Sequence, residues 1–385
     1  MLIARDLAPI LKKAAKQMPV VSLVGPRQSG KSTLCQACFP DYQYLNLNDL
    51  EQLRFAHEDP KGFLQNCHDH VIIDEAQMAP DLFHYIQNIA DKKGTPGQFI
   101  LTGAQNFLLT EKITQSLAGR TRILQLLPLS LRELSKAKLL KSDYETYLWQ
   151  GFYPRLYQYE LEPQDWYPSY LMTYVQRDVR QMKNIQNLTD FQHFLMLCAA
   201  RIGQSLNLSD LANDCQISVN TAKAWLSLLE ASYIIYRLRP YYKNFNKRIT
   251  KMPKLYFIDP GLASSLLGIS SQTQLETHQM KGHLFENLII NELLKNQYNA
   301  GLEDQLYFWR DSQGHEVDAI IEQGGKLNAI EIKSGKTIQE KYFDGLKRFQ
   351  ALANNEQNHL IYGGNASQKR QLGTVLPWDA VNDVF

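Results

Sequence analysis

Nearly continuous apolar runs, separated by segments of mixed polarity, mark the first third of the chain. Such runs are expected for parallel strands that are buried on both faces, and the segments between them have the length of helices or loops. The runs predict strands at residues 19–24, 42–47, 71–74, 99–102 and 123–127. Strands that alternate with helices indicate a three-layer α/β domain, which we assign to residues 1–130.

After residue 130 the pattern becomes helical and rich in aromatic residues, as far as residue 204. Two amphipathic helices joined by a turn then precede two strand-like runs, at residues 208–214, 219–230, 233–238 and 254–258. A helix–turn–helix followed by a hairpin is the outline of a winged helix, which we assign to residues 205–258.

The last part of the chain, residues 259–385, returns to mixed helix and strand signals. A helix is predicted from residue 281 and another from residue 338. Period-two or apolar runs predict strands at residues 306–309, 316–321, 328–333 and 359–362. The sequence therefore predicts a second α/β domain at the end of the chain.

Composition limits the possible functions. With 385 residues, 44% hydrophobic and 21% charged, the chain has the composition of a soluble protein of two or three domains. Its net charge of +2 implies that any nucleic-acid surface is local. No apolar run has membrane-spanning length, and residues 1–16 indicate an amphipathic helix rather than a secretory signal. The five cysteines lack framework spacing, which favours a reducing, cytoplasmic location.

Two cysteines, Cys35 and Cys38, are spaced like metal ligands, and Cys67, His68 and His70 are the only nearby partners for them. A metal site would need that second pair of ligands. Because both cysteines fall on a predicted helix, buried thiols are the preferred interpretation.

The segment 25–33 fits the phosphate-binding P-loop pattern G-x-x-x-x-G-K-[ST], between a predicted strand and a predicted helix. Backbone N–H groups of such a loop surround phosphate oxygens, and the helix N-terminus adds positive potential. Lys31 is expected to reach the β- and γ-phosphates of ATP, and the Ser32 hydroxyl to bind Mg²⁺. The predicted ATP-binding residues are Gly25, Pro26, Arg27, Gln28, Ser29, Gly30, Lys31, Ser32, Thr33 and Asp74.

Residues 71–75, with the sequence VIIDE, match a Walker B strand. Asp74 comes at the carboxyl end of the strand, where its carboxylate can hold Mg²⁺ through water. Glu75 is placed to polarise the attacking water. After the next strand, Thr102, Gln105 or Asn106 can sense the γ-phosphate, and the sequence does not choose among them.

A glycine turn at residue 119 presents two arginines. An arginine that reaches the nucleotide of a neighbouring subunit stabilises the transition state of hydrolysis. Arg120 is the first choice for this arginine finger and Arg122 the second, and either choice implies a homo-oligomer. A surface arginine without such a role is the alternative.

The segments GPRQSGKST, VIIDEAQ, ILTGAQN, SLAGR, GFYP and RDV resemble a group of bacterial and archaeal AAA-type (AAA+) ATPases. Members of that group carry a C-terminal region of unknown function that is related to PD-(D/E)xK nucleases. The resemblance spans nearly the whole chain and implies the architecture more firmly than the biology. Guanine specificity is not expected, because residues 246–249, with the sequence NKRI, lack the aspartate of an N-K-x-D element.

The second helix of the predicted winged helix begins with small polar residues and Lys223, which suits a DNA major groove. Ala224, Leu226 and Leu229 are expected to pack inward. The following segment, residues 237–254, holds seven basic residues, no acidic residue and interleaved aromatics: Arg237, Arg239, Lys243, Lys247, Arg248, Lys251, Lys254, Tyr241, Tyr242 and Phe245. That composition favours DNA or RNA contact, although winged helices also serve as packing modules.

Two strand-like runs near the C-terminus, residues 316–321 and 329–333, carry carboxylates at period two. If they pair, Asp318 and Glu331 can bind a second Mg²⁺ or a Mn²⁺, with Lys333 beside the attacking water. Glu286 adds a carboxylate from the preceding helix. The segments WRDSQGHEVDAII and AIEIKSG match the nuclease-like pattern of the group, with Val317 in place of its proline.

Two functions follow. The first is an ATPase that hydrolyses Mg²⁺–ATP and acts on nucleic acid through the winged helix and the nuclease-like domain. The second is an ATP-controlled interaction switch, in which an inactive nuclease fold meets a partner protein. A DNA-binding regulator that uses the winged helix alone is a third reading.

Overall fold

A computed structural model describes residues 2–103, 117–174, 188–241, 252–353, 355 and 357–385. The chain divides into two compact units. The first comprises Met1–Leu129 with Ala231–Tyr233 and Gln297–Glu303, and the second comprises Ser130–Glu230, Ile234–Asn296 and Asp304–Phe385. Within the described ranges, every helix is too short or too polar to span a bilayer.

The first unit is built from alternating helices and strands. Its helices are α1 (Ala8–Gln17), α2 (Lys31–Cys38), α3 (Leu50–Glu58), α4 (Pro60–Gln65) and α5 (Leu82–Lys93). Its strands are β1 (Val20–Val24), β2 (Gln43–Asn46), β3 (Val71–Asp74), β4 (Phe99–Gly103) and β5 (Thr121–Gln125). A short 3₁₀ helix, Ala76–Met78, follows β3.

The five strands of the first unit form one parallel sheet in the order β2-β3-β4-β1-β5. Strand β4 therefore lies between β1, which precedes the P-loop, and β3, which ends in Asp74. Because parallel strands end at the same edge, this order brings the P-loop, the Asp74 carboxylate and the end of β4 together. The parallel α/β domain predicted from the sequence is confirmed.

An apolar stripe on α1 helps to hold this sheet in place. Leu11 and Ala14, three positions apart, are buried in one cluster with Val21 and Leu23 of β1 and Cys35 of α2. Such a stripe is what the helical period of α1 predicts. Cys35 and Cys38 are buried free thiols in this core.

The second unit begins with a run of helices. They are α6 (Leu131–Lys136), α7 (Tyr144–Gln150), α8 (Pro154–Gln158), α9 (Pro163–Tyr174), α10 (Leu188–Ala199), α11 (Leu208–Asp214) and α12 (Val219–Ala231). Three more follow later in the chain: α13 (Pro260–Leu266), α14 (Lys281–Asn299) and α15 (Asp344–Ala353). Helix α15 begins six residues after its predicted start at residue 338, because Glu340–Phe343 form a 3₁₀ helix.

One sheet runs through the second unit. Its strands are β6 (Ile235–Pro240), β7 (Lys254–Phe257), β8 (Leu306–Arg310), β9 (Glu316–Gln323), β10 (Lys326–Lys333), β11 (Gln357–Tyr362), β12 (Gln368–Arg370) and β13 (Gly373–Pro377). They lie in the order β12-β13-β11-β10-β9-β8-β6-β7. The short edge strand β12 and its neighbour β13 were not predicted.

The hairpin of β6 and β7 joins this sheet. Strand β6 pairs with β7 in antiparallel fashion and with β8 in parallel fashion, where Arg239 faces Tyr307 and Pro240 faces Phe308. The strands predicted as the wing and those predicted for the C-terminal domain therefore belong to one sheet. The winged helix stays a prediction.

Helix α12 has a different inward face from the one predicted. Leu226 and Leu229 are buried, as expected, but Ala224 is exposed. Ala222 and Trp225 take the inward positions instead. The predicted inward face was wrong because Trp225 buries far more apolar area than Ala224 could. The helix is therefore oriented with the Trp225 indole toward the core.

Candidate functional site

The P-loop begins and continues with glycines that no other residue could easily replace. Gly25 has φ of 151°, and a Cβ there would lie 2.1 Å from the Leu126 carbonyl oxygen. Gly30 has φ of 94°, in left-handed conformation directly before α2. These positions allow the backbone to turn sharply and to present its N–H groups at the start of the helix.

Lys31 is the first residue of α2 and is only 6% exposed. Its ammonium group donates to the carbonyl oxygens of Gly25, at 2.9 Å, and Pro26, at 2.8 Å. Burial lowers the pKa of Lys31 to about 8, while the Glu75 and Asp74 carboxylates oppose that shift. The side chain is thus folded back over the loop, and a phosphate could replace these two carbonyl contacts with stronger, charge-assisted ones.

The loop is tied to the strand edge by Arg5. Its guanidinium donates to the carbonyl oxygens of Ser29 and Leu127, each at 2.6 Å. The Ser29 hydroxyl is itself buried, and the described residues offer it no hydrogen-bond partner. A buried hydroxyl without a partner is costly, so this atom marks a place where an added acceptor or water would be stabilising.

The remaining predicted nucleotide contacts differ in exposure. Pro26 is buried, Arg27 is half-buried, and Gln28 and Thr33 are exposed. Gln28 has φ of 61°, a left-handed conformation that places an uncommon strain on a residue with a side chain. The conformation of the loop therefore favours anion binding by its backbone N–H groups, independently of any contact that these side chains make.

Asp74 ends β3 with a carboxylate that is already held by neighbours. One oxygen accepts from the Tyr44 hydroxyl at 2.6 Å, and the other accepts from the Thr102 hydroxyl at the end of β4. The Ser32 side chain lies close to the same Tyr44 hydroxyl. Burial and the bond to Asp74 raise the pKa of Tyr44, so its hydroxyl stays a donor at neutral pH.

Glu75 follows with φ of 55°, a left-handed conformation that turns the chain out of the strand. Its backbone N–H approaches the Thr102 hydroxyl at 3.4 Å, and its carboxylate accepts from the Gln77 side chain. Strained backbone of this kind is found at functional sites, where the surrounding structure holds it. The Glu75 side chain is half-buried and directly follows Asp74 in the chain.

The donor set fits Mg²⁺. Ser32 and Asp74 offer hydroxyl and carboxylate oxygens, the hard ligands that Mg²⁺ prefers, and both lie close to the Tyr44 hydroxyl. The two side chains therefore share a neighbour, and the Asp74 charge also acts on the P-loop lysine. The charge of Asp74 and Glu75 also supplies the negative potential that a divalent cation needs.

Of the three predicted γ-phosphate sensors, Thr102 lies at the site, bonded to Asp74. Gln105 and Asn106 lie outside the described residues. Arg120 forms an ion pair with Asp91 and donates to the Ala118 carbonyl oxygen at 2.9 Å, within the first unit. Arg122 donates to the Gly301 carbonyl oxygen at 2.8 Å, and the role of either arginine as a finger stays a prediction.

The basic segment predicted to contact nucleic acid is largely paired where the structure describes it. Arg237 pairs with Glu230, and Arg239 donates to the backbone of Asp304 at 3.2 Å. Tyr241 is only 2% exposed. Residues 242–251, with the other basic and aromatic candidates, lie outside the described residues, as does the RDV segment at 177–179.

Lys254 corrects one prediction directly. It was expected to contact phosphate, yet it is 3% exposed. Its ammonium group donates to Glu286 at 2.9 Å, pairs with Glu316, and lies 3.9 Å from an Asp318 oxygen. The reason is the pairing of β6 with β8, which carries β7 and Lys254 into the sheet.

The predicted nuclease-like residues do come together in the second unit. Strands β9 and β10 pair in antiparallel fashion, and Lys333 contacts Glu331 at 2.5 Å and Asp318 at 3.3 Å. The Ile332 N–H donates to Asp318 at 2.8 Å. Burial, and then the Asp318 charge, raise the pKa of Glu331 to about 8.

The centre formed by these side chains has a clear charge arrangement. We call it the acidic centre: Glu286, Glu316, Asp318 and Glu331, with Lys254 and Lys333 between them. Within the described ranges, no three acidic, histidine or cysteine side chains are grouped so that they could hold a metal ion. The second metal ion therefore has no support in the geometry.

The sequence did not identify Arg5 and Tyr44 as residues that shape these sites. It pointed to Lys254, but not to the burial of this side chain. Partners of Arg5 lie from 24 to 123 positions away along the chain, and the partner of Tyr44 lies 30 positions away. For Tyr44 the sequence signal was its place on a predicted strand, residues 42–47, without the neighbour of that strand. For Lys254 the sequence pointed to exposure rather than burial, because this residue ends a basic segment.

Comparison with known families divides the chain in three. Residues 17–135 match an AAA domain. Residues 141–273 match a domain of unknown function (DUF8612), and residues 281–381 match another (DUF4143). The first match supports the prediction of an AAA-type ATPase. The relation of residues 281–381 to nucleases stays a prediction, because the matched description assigns no activity.

Several proteins are similar over most of the chain. The uncharacterized protein Rv2008c of Mycobacterium tuberculosis is 30% identical over 338 residues, which cover 86% of this chain and 74% of that protein. An uncharacterized protein of Haemophilus influenzae is 21% identical over 378 residues, covering 84% and 90%. The solved Walker-type ATPase PABY2304 of Pyrococcus abyssi is 15% identical, with a TM-score of 0.47, over 69% of this chain and 96% of that one.

Proposed function

From the premise that this chain belongs to the family of the mycobacterial protein Rv2008c and carries an AAA-type ATPase domain, we propose that it binds and hydrolyses ATP in a Mg²⁺-dependent reaction. The observation that carries the proposal is the meeting of Lys31, Ser32, Asp74 and Glu75 at one edge of the parallel sheet. An ammonium group, a hydroxyl and two carboxylates, from the start of α2 and the carboxyl end of β3, match the parts that phosphoryl transfer needs.

The P-loop binds the triphosphate. Backbone N–H groups of residues 25–33 surround the phosphate oxygens, and Lys31 leaves the Gly25 and Pro26 carbonyls to bind the β- and γ-phosphates. Glu75 accepts a proton from the attacking water and orients it in line with the γ-phosphate. The Thr102 hydroxyl bonds both the Asp74 carboxylate and the Glu75 backbone N–H, and so fixes these two residues relative to each other. This keeps Glu75, the general base, next to the γ-phosphate.

Ser32 and Asp74 hold the metal ion that accompanies ATP. When bound, Mg²⁺ neutralises the charge of the β- and γ-phosphate oxygens. Tyr44 positions Asp74, because its hydroxyl donates to that carboxylate at 2.6 Å. Ligating carboxylates with such outer partners are better positioned than free ones.

Removal of divalent metal tests this assignment. With purified protein and ATP, excess EDTA is expected to reduce phosphate release to the background rate, and added Mg²⁺ is expected to restore it. The physical reason is that the terminal phosphate charge then lacks its counter-ion in the transition state. Undiminished hydrolysis in EDTA, with metal removal verified by elemental analysis, would rule out a Mg²⁺-dependent reaction.

We further propose that ATP hydrolysis is coupled to nucleic-acid binding through α11 and α12. The support is local: Asn220 and Lys223 are exposed in the first turns of α12, and Ser218 is exposed directly before it. Small polar side chains and one lysine at a helix N-terminus suit a major groove. The near-neutral net charge of +2 implies that such a surface has to act without help from a general basic field.

An ATP-controlled interaction switch is the second candidate, and one observation favours it. Arg237, Arg239 and Lys254, the described members of the basic segment, already have acidic or backbone partners. A surface whose cations are paired internally gains less from phosphate contact. In this case ATP controls the contact with a partner protein, and the C-terminal region cleaves nothing.

Fluorescence anisotropy with labelled duplex DNA and single-stranded RNA separates the two candidates. If α12 contacts the nucleic acid, Lys223→Ala should weaken binding several-fold and lower the salt slope by about one phosphate contact. Lys369→Ala, at an exposed position on β12, is the matched control and should bind like the wild type. Binding that is absent, or that Lys223→Ala leaves unchanged, favours the switch.

A further inference from the structure

A lysine, Lys254, lies beside two of the carboxylates that the sequence suggested as ligands of a second metal ion. The Lys254 ammonium group contacts Glu286 at 2.9 Å and pairs with Glu316, and an Asp318 oxygen lies 3.9 Å away. Its side chain is 4% exposed, so water does not compete for these contacts. Glu286 and Asp318 are two of the carboxylates that the sequence suggested as ligands of a second metal.

The ammonium group is held in its charged form by what surrounds it. Burial acts against the charge, but Tyr256, Glu286, Asp318 and Glu316 raise the pKa of Lys254 well above its ordinary value. The Tyr256 hydroxyl donates to the same Glu286 oxygen at 2.5 Å. A buried carboxylate without a counter-charge is strongly destabilising, so this lysine supplies what the carboxylates need.

The acidic centre still has acceptor capacity after both lysines are counted. Four carboxylates surround two ammonium groups. The Oε2 atom of Glu331 is buried, and among the described residues no donor reaches it. The Arg310 guanidinium also lies 3.6 Å from a Glu316 oxygen. The centre therefore keeps one buried carboxyl oxygen without a partner, and Lys254 lies among Glu286, Glu316 and Asp318.

We propose that Lys254 is the resident cation of the acidic centre, and that a divalent ion can bind Glu286 and Asp318 only if Lys254 is removed. Carboxylate oxygens bind Mg²⁺ or Mn²⁺ at about 2.0–2.3 Å, so an ion shared by these two residues would lie against the ammonium group. Two cations at such a distance, in a site shielded from water, repel each other strongly. The centre consequently acts as an ionic link from β7 to α14 and β9, not as a metal-dependent hydrolytic site.

Mn²⁺ binding, followed by the electron paramagnetic resonance signal of the free ion, tests the proposal on nucleotide-free, full-length protein. The wild type should show no Mn²⁺ binding that depends on Asp318. Lys254→Met, which keeps the shape and removes the charge, should gain Mn²⁺ binding and a higher thermal midpoint when Mn²⁺ is added. Lys254→Met combined with Asp318→Asn should lose both gains, and Lys369→Met should behave like the wild type.

Either of two results would overturn the proposal: Asp318-dependent Mn²⁺ binding by the wild type, or a folded Lys254→Met protein that binds no Mn²⁺. If Lys254→Met does not fold, the double variant Lys254→Met/Glu316→Gln removes one charge of each sign, keeps Glu286 and Asp318, and is expected to show the same gain. Its failure to bind Mn²⁺ also refutes the proposal. Because no ATP is present, the outcome is independent of the ATPase assignment.

Discussion

Replacing Lys31 with alanine is expected to abolish ATP hydrolysis, with the rate reduced at least ~10²- to 10³-fold. The wild-type ammonium group is released from the Gly25 and Pro26 carbonyls to bind the phosphates, and alanine offers no positive charge in its place. Phosphate release under saturating Mg²⁺–ATP measures the effect. ATP affinity should fall with it, because the same contact binds the ground state.

The matched control is Lys92→Ala, at an exposed position in α5. It should hydrolyse ATP at the wild-type rate. Thermal unfolding of both variants distinguishes lost chemistry from lost fold, and Lys31→Ala is not expected to unfold, because it removes a buried charge rather than creating one. Hydrolysis by a folded Lys31→Ala protein at an unchanged rate would mean that the P-loop is not the site of the reaction.

The second large effect is expected from Glu75→Gln. The glutamine keeps the size of the side chain and the left-handed turn but cannot accept the proton of the attacking water. Hydrolysis should therefore fall by ~10²–10⁴-fold, the usual contribution of a general base. ATP binding should remain, since Glu75 is not expected to bind the ground-state phosphates.

A comparison of binding with turnover makes this prediction specific. Glu75→Gln should bind Mg²⁺–ATP with near-wild-type affinity in calorimetry while releasing little phosphate. Glu58→Gln, at an exposed position in α3, serves as the control and should match the wild type in both assays. If the Glu75→Gln protein hydrolyses ATP at the wild-type rate, Glu75 is not the general base.

The parts of the nucleotide site that could be predicted are those that depend on local backbone geometry. The glycines at 25 and 30 are needed for conformations that few other residues adopt, and a strand that ends in Asp74 and Glu75 is a short, local pattern. The polar Thr102 at the end of an apolar run also pointed to the third strand at this edge. These signals need no knowledge of distant contacts.

What could not be predicted depends on pairings between distant segments. Tyr44 reaches Asp74 only because β2 lies beside β3, and Lys254 enters the acidic centre only because β6 pairs with β8. A basic run in the sequence carries no mark of that burial. The prediction that Lys254 contacts phosphate was therefore wrong. Composition shows that the segment is basic, but not that strand pairing buries the Lys254 ammonium group inside the protein.

The central claim is that the loop at residues 25–33 binds the triphosphate of ATP, in reach of Asp74 and Glu75. Isothermal titration of Mg²⁺–ATP into the folded wild-type protein tests it most directly. The account predicts a saturable heat of binding that disappears in Lys31→Ala. A well-folded protein that gives no heat with ATP over the whole titration would contradict it.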